Sequence, residues 1–369
     1  MSLVLYRKYR PQAFKDLIGQ KYIIKTLTNA ISRNMIAHAY LFSGPRGTGK
    51  TTLARLLAKA VNCQNRKDKS FEPCNKCSSC LEIIGGQSMD LIEIDAASHR
   101  GIDDVRELKE GIKFSPTKSK YKVFIIDEAH QLTKDGANAL LKTLEEPPEH
   151  AIFILATTEA HKMIPTIISR CQRFDFKRLT ISEIVEKLER IIKKENIKIQ
   201  KNGLELIASN SEGAIRDAEG LLNQLSTFYK DSQKEIGIDD IKSLLGLIEI
   251  DIVSKFVDFL YEKKMAEAIS YLNEVNDKGL DLEEFTKSLI NYLRKVLVSK
   301  IIGEESSNQY LVNLTKEEIK HLQKQAKNFT NEELRNILSI FLEAQNKMKY
   351  SPIPQLPLEL GIVEICGIV

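Results

Sequence analysis

Long apolar runs are missing from this 369-residue chain. The longest unbroken stretch, Ala151–Ala156, is AIFILA, far short of the ~20 residues a membrane-spanning helix requires. A transmembrane helix is thereby excluded, and the opening MSLVLYRKYRP lacks the apolar core of a signal peptide. A cytoplasmic protein without a membrane partner is expected. Glycine and proline are scarce, at 18 and 10, which rules out collagenous and low-complexity chains. There is no internal repeat and no disordered tail. The six histidines (His38, His99, His130, His150, His161, His321) form no H-E-x-x-H and no triad pattern. They read as surface or structural residues, with His130 set apart only because it closes the run Asp127-Glu128-Ala129-His130.

What is present is ordinary globular material: 43% hydrophobic and 28% charged residues. At about 150 residues per domain, the length suggests two or three domains. The net charge of +4 hides an asymmetry. Residues 1–178 carry 29 Lys/Arg against 19 Asp/Glu, and residues 179–369 carry 25 against 31. A basic front half is consistent with a polyanionic partner, and equally with nucleotide phosphates and solvation.

Apolar runs alternate with helical stretches in the front half. Tyr40–Ser43, Leu91–Ile94, Tyr121–Ile126 and Ile152–Ala156 read as strands, with Leu53–Val61, Ile102–Ile112 and Gly136–Leu144 as helices. This alternation predicts a parallel α/β sheet with helices on both faces. Beyond Leu179 the pattern becomes helical throughout. Thr180-x-x-Glu183 is a capping box, and Asp281-x-x-Glu284, Thr315-x-x-Glu318 and Thr330-x-x-Glu333 mark further helix starts. Domain boundaries are expected near 178 and 242, dividing the chain into 1–178, 179–242 and 243–369. An apolar segment after the prolines near 352–357 predicts a last helix packed on the bundle.

Several motifs carry chemistry. Gly44-Pro45-Arg46-Gly47-Thr48-Gly49-Lys50-Thr51 fits G-x-x-x-x-G-K-S/T between a strand and a helix. Its glycines turn backbone N–H groups around phosphate oxygens, Lys50 reaches the β/γ-phosphates, Thr51 reaches Mg²⁺, and Thr52 continues the turn. Val123–Glu128 is an apolar strand ending in two carboxylates. Asp127 is placed for the Mg²⁺ shell and Glu128 to polarise an attacking water. Thr158 ends the next strand, where a hydroxyl helps align that water. Arg170, in Ser169-Arg170-Cys171, and Arg216, in Gly213-Ala214-Ile215-Arg216, suit charge stabilisation on a phosphoryl group, although spacing alone does not separate them from surface arginines. Finally, Cys63, Cys74, Cys77 and Cys80 have the spacing of a structural Zn²⁺ site in a polar insert at about 63–80, with free or redox thiols as the alternative. Cys171 and Cys366 stand alone.

Together these residues resemble the gamma/tau family of bacterial DNA polymerase III clamp-loader subunits, which are AAA+ ATPases. The resemblance runs over essentially the whole chain. It is carried by Tyr9-Arg10-Pro11, Ile18-Gly19-Gln20, His38–Phe42, the phosphate loop, the four-cysteine insert, Glu93–Ser98, Asp127–His130, Ala137–Pro148 and Ser169–Cys171. It implies an AAA+ P-loop ATPase domain with a zinc-binding insert, a small helical lid and an all-α collar that builds the assembly. It implies ATP, Mg²⁺ and Zn²⁺ as cofactors. Tyr9, Arg10, Pro11, Ile18 and Gly19 would surround the adenine. Arg170 would act in trans on a neighbour's ATP, and Arg216 on the subunit's own. The implied partners are delta, delta prime and further gamma/tau copies in a pentamer, the beta sliding clamp and primer–template DNA. ATP binding and hydrolysis would load the clamp during DNA replication. Arg100 and Arg106 would contact the DNA backbone, with a solvated basic helix face as the alternative. Long members continue into a region binding the polymerase core and the replicative helicase. The chain stops at Val369, about where the collar should end, as a natural short form or a truncated one would.

Overall fold

The computed structural model describes residues 4–98, 111–112, 114–229, 235–245, 248, 250–303 and 316–367. Arg100, Arg106, Thr315 and most of the helix expected at Ile102–Ile112 lie outside the described residues. The chain divides into two compact units, Met1–Ile236 and Gly237–Val369. The boundary expected near 242 falls inside the helix Ile238–Leu244.

The first unit holds a parallel sheet of β1 (Ala39–Ser43), β2 (Leu91–Asp95), β3 (Lys122–Asp127), β4 (Ala151–Thr157) and β5 (Gln172–Asp175), in the order β2-β3-β4-β1-β5. Because both faces are covered, the central strands are apolar along Ala39–Phe42, Val123–Ile126 and Ala151–Ala156, and successive side chains part to opposite sides. Tyr40, Phe42, Val123, Ile125, Ile152 and Ile154 pack on one face with α2 (Lys21–Ser32) and α3 (Lys50–Val61). Leu41, Phe124, Ile126, Phe153 and Leu155 pack on the other with Leu140 and Leu144 of α5 (Lys134–Glu145). Among the described residues this unit also holds helices α1 (Leu5–Lys8), α4 (Ser78–Gly85), α6 (Pro165–Ile168), α7 (Ile181–Glu195), α8 (Lys201–Asn210) and α9 (Ile215–Phe228). The Thr180 capping box forms, with Glu183 N donating to Thr180 Oγ1 at 3.3 Å and Thr180 N to Glu183 Oε2 at 2.9 Å.

Sequence reading did not anticipate β5. Its four residues include one buried side chain, Phe174, flanked by Gln172, Arg173 and Asp175. Phe174 apart, nothing in that composition favours a strand. Its pairing with β1, Tyr40 to Gln172 through Ser43 to Asp175, is a tertiary outcome.

The second unit is helical: α10 (Ile238–Leu244), α11 (Ile250–Tyr261), α12 (Met265–Asp277), α13 (Leu282–Ile302), α14 (Lys316–Asn328), α15 (Asn331–Met348) and α16 (Leu356–Gly367). Asp281 Oδ1 caps α13 by accepting from Glu283 N at 2.7 Å, and the Thr330 box caps α15. Phe256, Phe285, Leu289, Leu293 and Phe341 centre one core that also takes Leu358 and Ile362 of α16, as expected of the last apolar segment.

Candidate active site

Parallel pairing brings the carboxyl ends of the central strands level. Ser43 pairs with Thr157, and Ile126 with Leu155. Ligands of open α/β sheets bind beyond such ends, where loops leave the strands. The Gly44–Gly49 loop, Asp127–Glu128 and Thr158 all emerge there.

The loop after β1 is anchored by Gly44 N, which donates to Thr157 O at 3.1 Å. Gly44 has φ +145°, and a Cβ there would lie 2.4 Å from Phe176 O. Lys50 is 6% exposed. Its Nζ donates to Gly44 O at 2.6 Å and Pro45 O at 2.8 Å. Burial lowers its pKa, while Glu128 and Asp127 pull it back up. An ammonium group is therefore held at the loop's mouth, beside two carboxylates.

Thr51 Oγ1 donates to Asp127 Oδ2 at 2.7 Å, and Glu128 N to Asp127 Oδ1 at 3.0 Å. Glu128 adopts a left-handed backbone with φ +46°, an uncommon state for a residue with a Cβ that is tolerated where surroundings over-determine it. Its Oε2 accepts from Thr158 Oγ1 at 2.8 Å and Thr158 N at 3.3 Å. His130 sits behind this pair. Its Nδ1 lies 2.9 Å from Thr157 Oγ1 and 3.5 Å from Glu128 Oε2, and its Nε2 lies 3.1 Å from Glu159 Oε2.

A cavity of about 190 Å³ joins these groups to the helices after Leu179. The seam is tight. Ile215 N donates to Gly47 O at 3.1 Å, and a Cβ on Gly47 would lie 2.7 Å from Ala214 Cβ. Arg216 lines the same cavity, its guanidinium 4.9 Å from the centre of the Tyr6 ring. Donors of loop and helix N-terminus, an ammonium, a guanidinium and a paired carboxylate thus converge on one cleft. That set suits a polyphosphate with a divalent cation and an activated water.

The chain matches three families over successive stretches. They are DNA polymerase III, delta subunit, over residues 19–180; the DNA polymerase III clamp loader subunit, ATPase lid domain, over 183–228; and DNA polymerase III subunits gamma and tau domain III, over 236–368. It is 36% identical to the DNA polymerase III subunit gamma of Buchnera aphidicola (subsp. Acyrthosiphon pisum), over 98% of this chain and 98% of that one. The chain belongs to the DNA polymerase III gamma/tau family. Identity with the DNA polymerase III subunit tau of Bacillus subtilis is 42% over 98% of this chain, and with that of Escherichia coli 39% over 81%. The chain spans 63% of the former relative and 46% of the latter.

Of the residues singled out from the sequence of this gamma/tau family member, Arg10, Pro11, Ile18, Arg46, Gly47, Thr48, Gly49, Lys50, Thr51, Thr52, Asp127, Glu128 and Arg216 line the one cavity. Gly44 and Pro45 support it through Lys50, and Thr158 through Glu128. Three others lie apart from it. Tyr9 turns to α7, its hydroxyl bonded to Glu195. Burial, with Glu195 adding, pushes its phenol up to about 12. Gly19 packs against Leu179, where a Cβ would lie 2.3 Å from Leu179 Cδ2. Arg170 donates to Thr166 O at 2.8 Å and pairs with Glu145 at 2.6 Å, outside the cavity lining.

Tyr6, Lys187 and Glu219 also line the cavity and were not anticipated. Lys187 Nζ donates to Tyr9 O at 2.9 Å and lies 3.8 Å from Glu219 Oε1. Burial raises the Glu219 pKa to about 7, against the opposing pull of Lys187 and Arg10. No local motif marks these positions, since each lies on an otherwise ordinary amphipathic helix turn.

The four insert cysteines come together, with their sulfurs within 4.8 Å of one another. Cys74 Sγ accepts from Cys77 N at 3.3 Å and Lys76 N at 3.4 Å, and Cys63 Sγ from Cys74 N at 3.2 Å. Burial opposes ionisation of Cys74, yet the amides of Lys76 and Cys77 bring its pKa down to about 6. Four soft donors at this mutual reach, with N–H groups already aimed at sulfur, fit a tetrahedral zinc ion.

Proposed function

We propose that this chain is the ATP-hydrolysing motor subunit of a clamp loader, using ATP to place the sliding clamp on primer–template DNA. The observation that carries this reading is the convergence of Lys50, Thr51, Asp127, Glu128 and Arg216 on one cavity, in a member of the gamma/tau family. Lys50 and the loop amides bind the β/γ-phosphates. Thr51 and Asp127 would hold Mg²⁺, which when bound neutralises charge on the phosphate oxygens. Glu128 takes the proton side of the attacking water, and Thr158 sets the orientation of Glu128. Arg216, on the helix that closes over Gly47, reports the state of the subunit's own nucleotide. Arg170 lies outside this cavity and acts on a neighbour's ATP; arginine fingers contribute roughly 10³–10⁵ in rate. Arg10, Pro11 and Ile18 form the base-side wall. Cys63, Cys74, Cys77 and Cys80 would hold one Zn²⁺ in a structural role.

The same reading divides the chain into an ATPase domain at 1–178, a lid at 179–242 and a collar at 243–369. It supplies delta, delta prime and further gamma/tau copies, the beta clamp and primed DNA as partners, and the cytoplasm as location. Among the described residues no helix is long and apolar enough to cross a membrane.

The test is an ATPase assay with and without primed DNA, clamp and partner subunits. Hydrolysis should rise with all present and vanish in Lys50→Ala; retained activity in that variant would sink the site. Within the assembly, Arg170→Ala should silence the neighbouring site and leave nucleotide binding in its own pocket intact. Full hydrolysis by an all-Arg170→Ala complex would refute action in trans.

A further inference from the structure

The wall of the cavity between Arg10 and Ile18 has little structure of its own. It contains one 3₁₀ turn, Phe14–Asp16, preceded by Ala13, whose side chain offers no cap. Short 3₁₀ turns are weakly self-supporting, and their first amides need acceptors from elsewhere. Here the acceptor comes from the cysteine insert. Glu72 Oε2 accepts from Phe14 N at 2.9 Å and Glu72 Oε1 from Lys15 N at 2.9 Å. The Phe71 ring meets the Phe14 ring edge-on at 6.1 Å. On the sheet side, Lys59 Nζ holds Gln12 O and Gln12 Oε1, both at 2.8 Å.

The limb that delivers Glu72 is itself tied down. Arg66 donates to Ser70 O at 2.6 Å and to Ile31 O, at the end of α2, at 3.2 Å. Its two ends meet where Cys74 N donates to Cys63 Sγ, next to the end of α3, the helix that begins at Lys50. Insert and phosphate loop are therefore connected to one cavity from two directions.

We infer that the cysteine insert is a brace for the nucleotide pocket, and that Glu72 is its positioning residue: by capping Phe14 and Lys15 it holds the Arg10–Ile18 wall against the base. This rests on the reading of the cavity as an ATP site. Glu72 touches no ligand. Its contribution is to spare the ligand the ordering of that wall, so its loss weakens affinity and leaves the chemistry at Glu128 unchanged.

The experiment uses the full chain, with Glu72→Ala, Glu72→Gln and a control on α4 just after the insert, Glu82→Ala, which removes a surface pair with Lys118. Binding of a fluorescent ATP analogue and amide hydrogen exchange at Phe14 and Lys15 are measured, together with kcat and KM in the assembled complex. Glu72→Ala is expected to speed exchange at both amides at least tenfold and to weaken nucleotide binding about tenfold, with kcat at saturating ATP within twofold. Glu72→Gln keeps an acceptor oxygen and should fall between; Glu82→Ala should match the unaltered chain. Faster exchange with unchanged affinity would overturn the coupling, and unchanged exchange would overturn the cap. Failure of the unaltered chain to bind the analogue would instead overturn the ATP-site reading, and this inference with it.

Discussion

The two units of this chain bury polarity in different ways. In Met1–Ile236 the buried set includes charges: Lys50, Lys59, Asp90, Lys122, Lys187 and Glu219. In Gly237–Val369 the buried polar residues, among those described, are Ser254, Thr286, Ser299 and Gln325, none of them charged. The cause lies in what each unit must hold in place. A helix satisfies its own backbone, and Thr286 merely returns its hydroxyl to Leu282 O at 2.7 Å. The loops around a sheet cannot do this, so buried ions supply the missing partners. Asp90 takes the amides of Thr117, Lys118 and Ser119 at 2.7, 3.0 and 2.8 Å, and Lys122 Nζ takes Gly111 O at 2.7 Å. Buried ions in the first unit thus either fasten loops, as Asp90 and Lys122 do, or line the cavity, as Lys50, Lys187 and Glu219 do, whereas the second unit is built by apolar packing.

The comparison can be broken at several points. The largest effect is expected at Glu128. Glu128→Gln should lower hydrolysis by about 10²–10⁴ while leaving nucleotide binding intact, measured by single turnover against equilibrium binding. A parallel loss of binding would show that Glu128 holds the site together rather than serving its chemistry.

Next comes the apolar unit. Phe285 is fully buried and meets Phe256 edge-on at 5.2 Å. Phe285→Ala should cost about 3–5 kcal/mol in stability, read by denaturant unfolding, with no change in nucleotide affinity. A change in affinity would mean that the division of labour between the units is wrong.

Gln325 is the helical unit's nearest equivalent to a buried charge. Its Nε2 reaches Ser254 O at 2.9 Å and Asp258 Oδ1 at 2.7 Å, and its Oε1 accepts from Tyr292 at 2.6 Å. Gln325→Ala strands these partners and should cost about 1–3 kcal/mol. A neutral result would place this network outside the stability of the unit.

The smallest effect concerns pH. Glu219 has a folded pKa of about 7, above its ordinary 4.5, because it is buried. The folded state therefore keeps a proton that the unfolded state releases earlier. Its contribution is full below about pH 4.5 and is lost as pH rises through 7. Glu219→Gln should flatten that decline, gaining on the order of 1 kcal/mol at pH 8 and nothing at pH 4. Parallel stability–pH curves for the two proteins would discard the assignment.

Much of this was legible beforehand. The three central strands carry continuous apolar runs, because parallel strands covered on both faces leave no solvent side to encode. The phosphate loop, the acidic strand end, the cysteine spacing and the capping boxes are local, since each places its groups within one short segment of chain. β5 was not legible, because a four-residue edge strand with one buried side chain carries no periodicity. Tyr6, Lys187 and Glu219 were missed for a related reason. They meet the cavity only after α1, α7 and α9 are packed around it.

The sequence by itself determined the element types other than β5, the chemistry offered at Gly44–Thr51 and Asp127–Glu128, and the four thiols. These depend on contacts between near neighbours along the chain. Only the tertiary structure decided that Arg216 and Lys50 share a cleft, that Tyr9 faces Glu195 instead, and that Glu72 caps Phe14 across 58 positions. Such pairings join residues whose separation is erased when layers pack, and the packing surface, not the spacing, selects them.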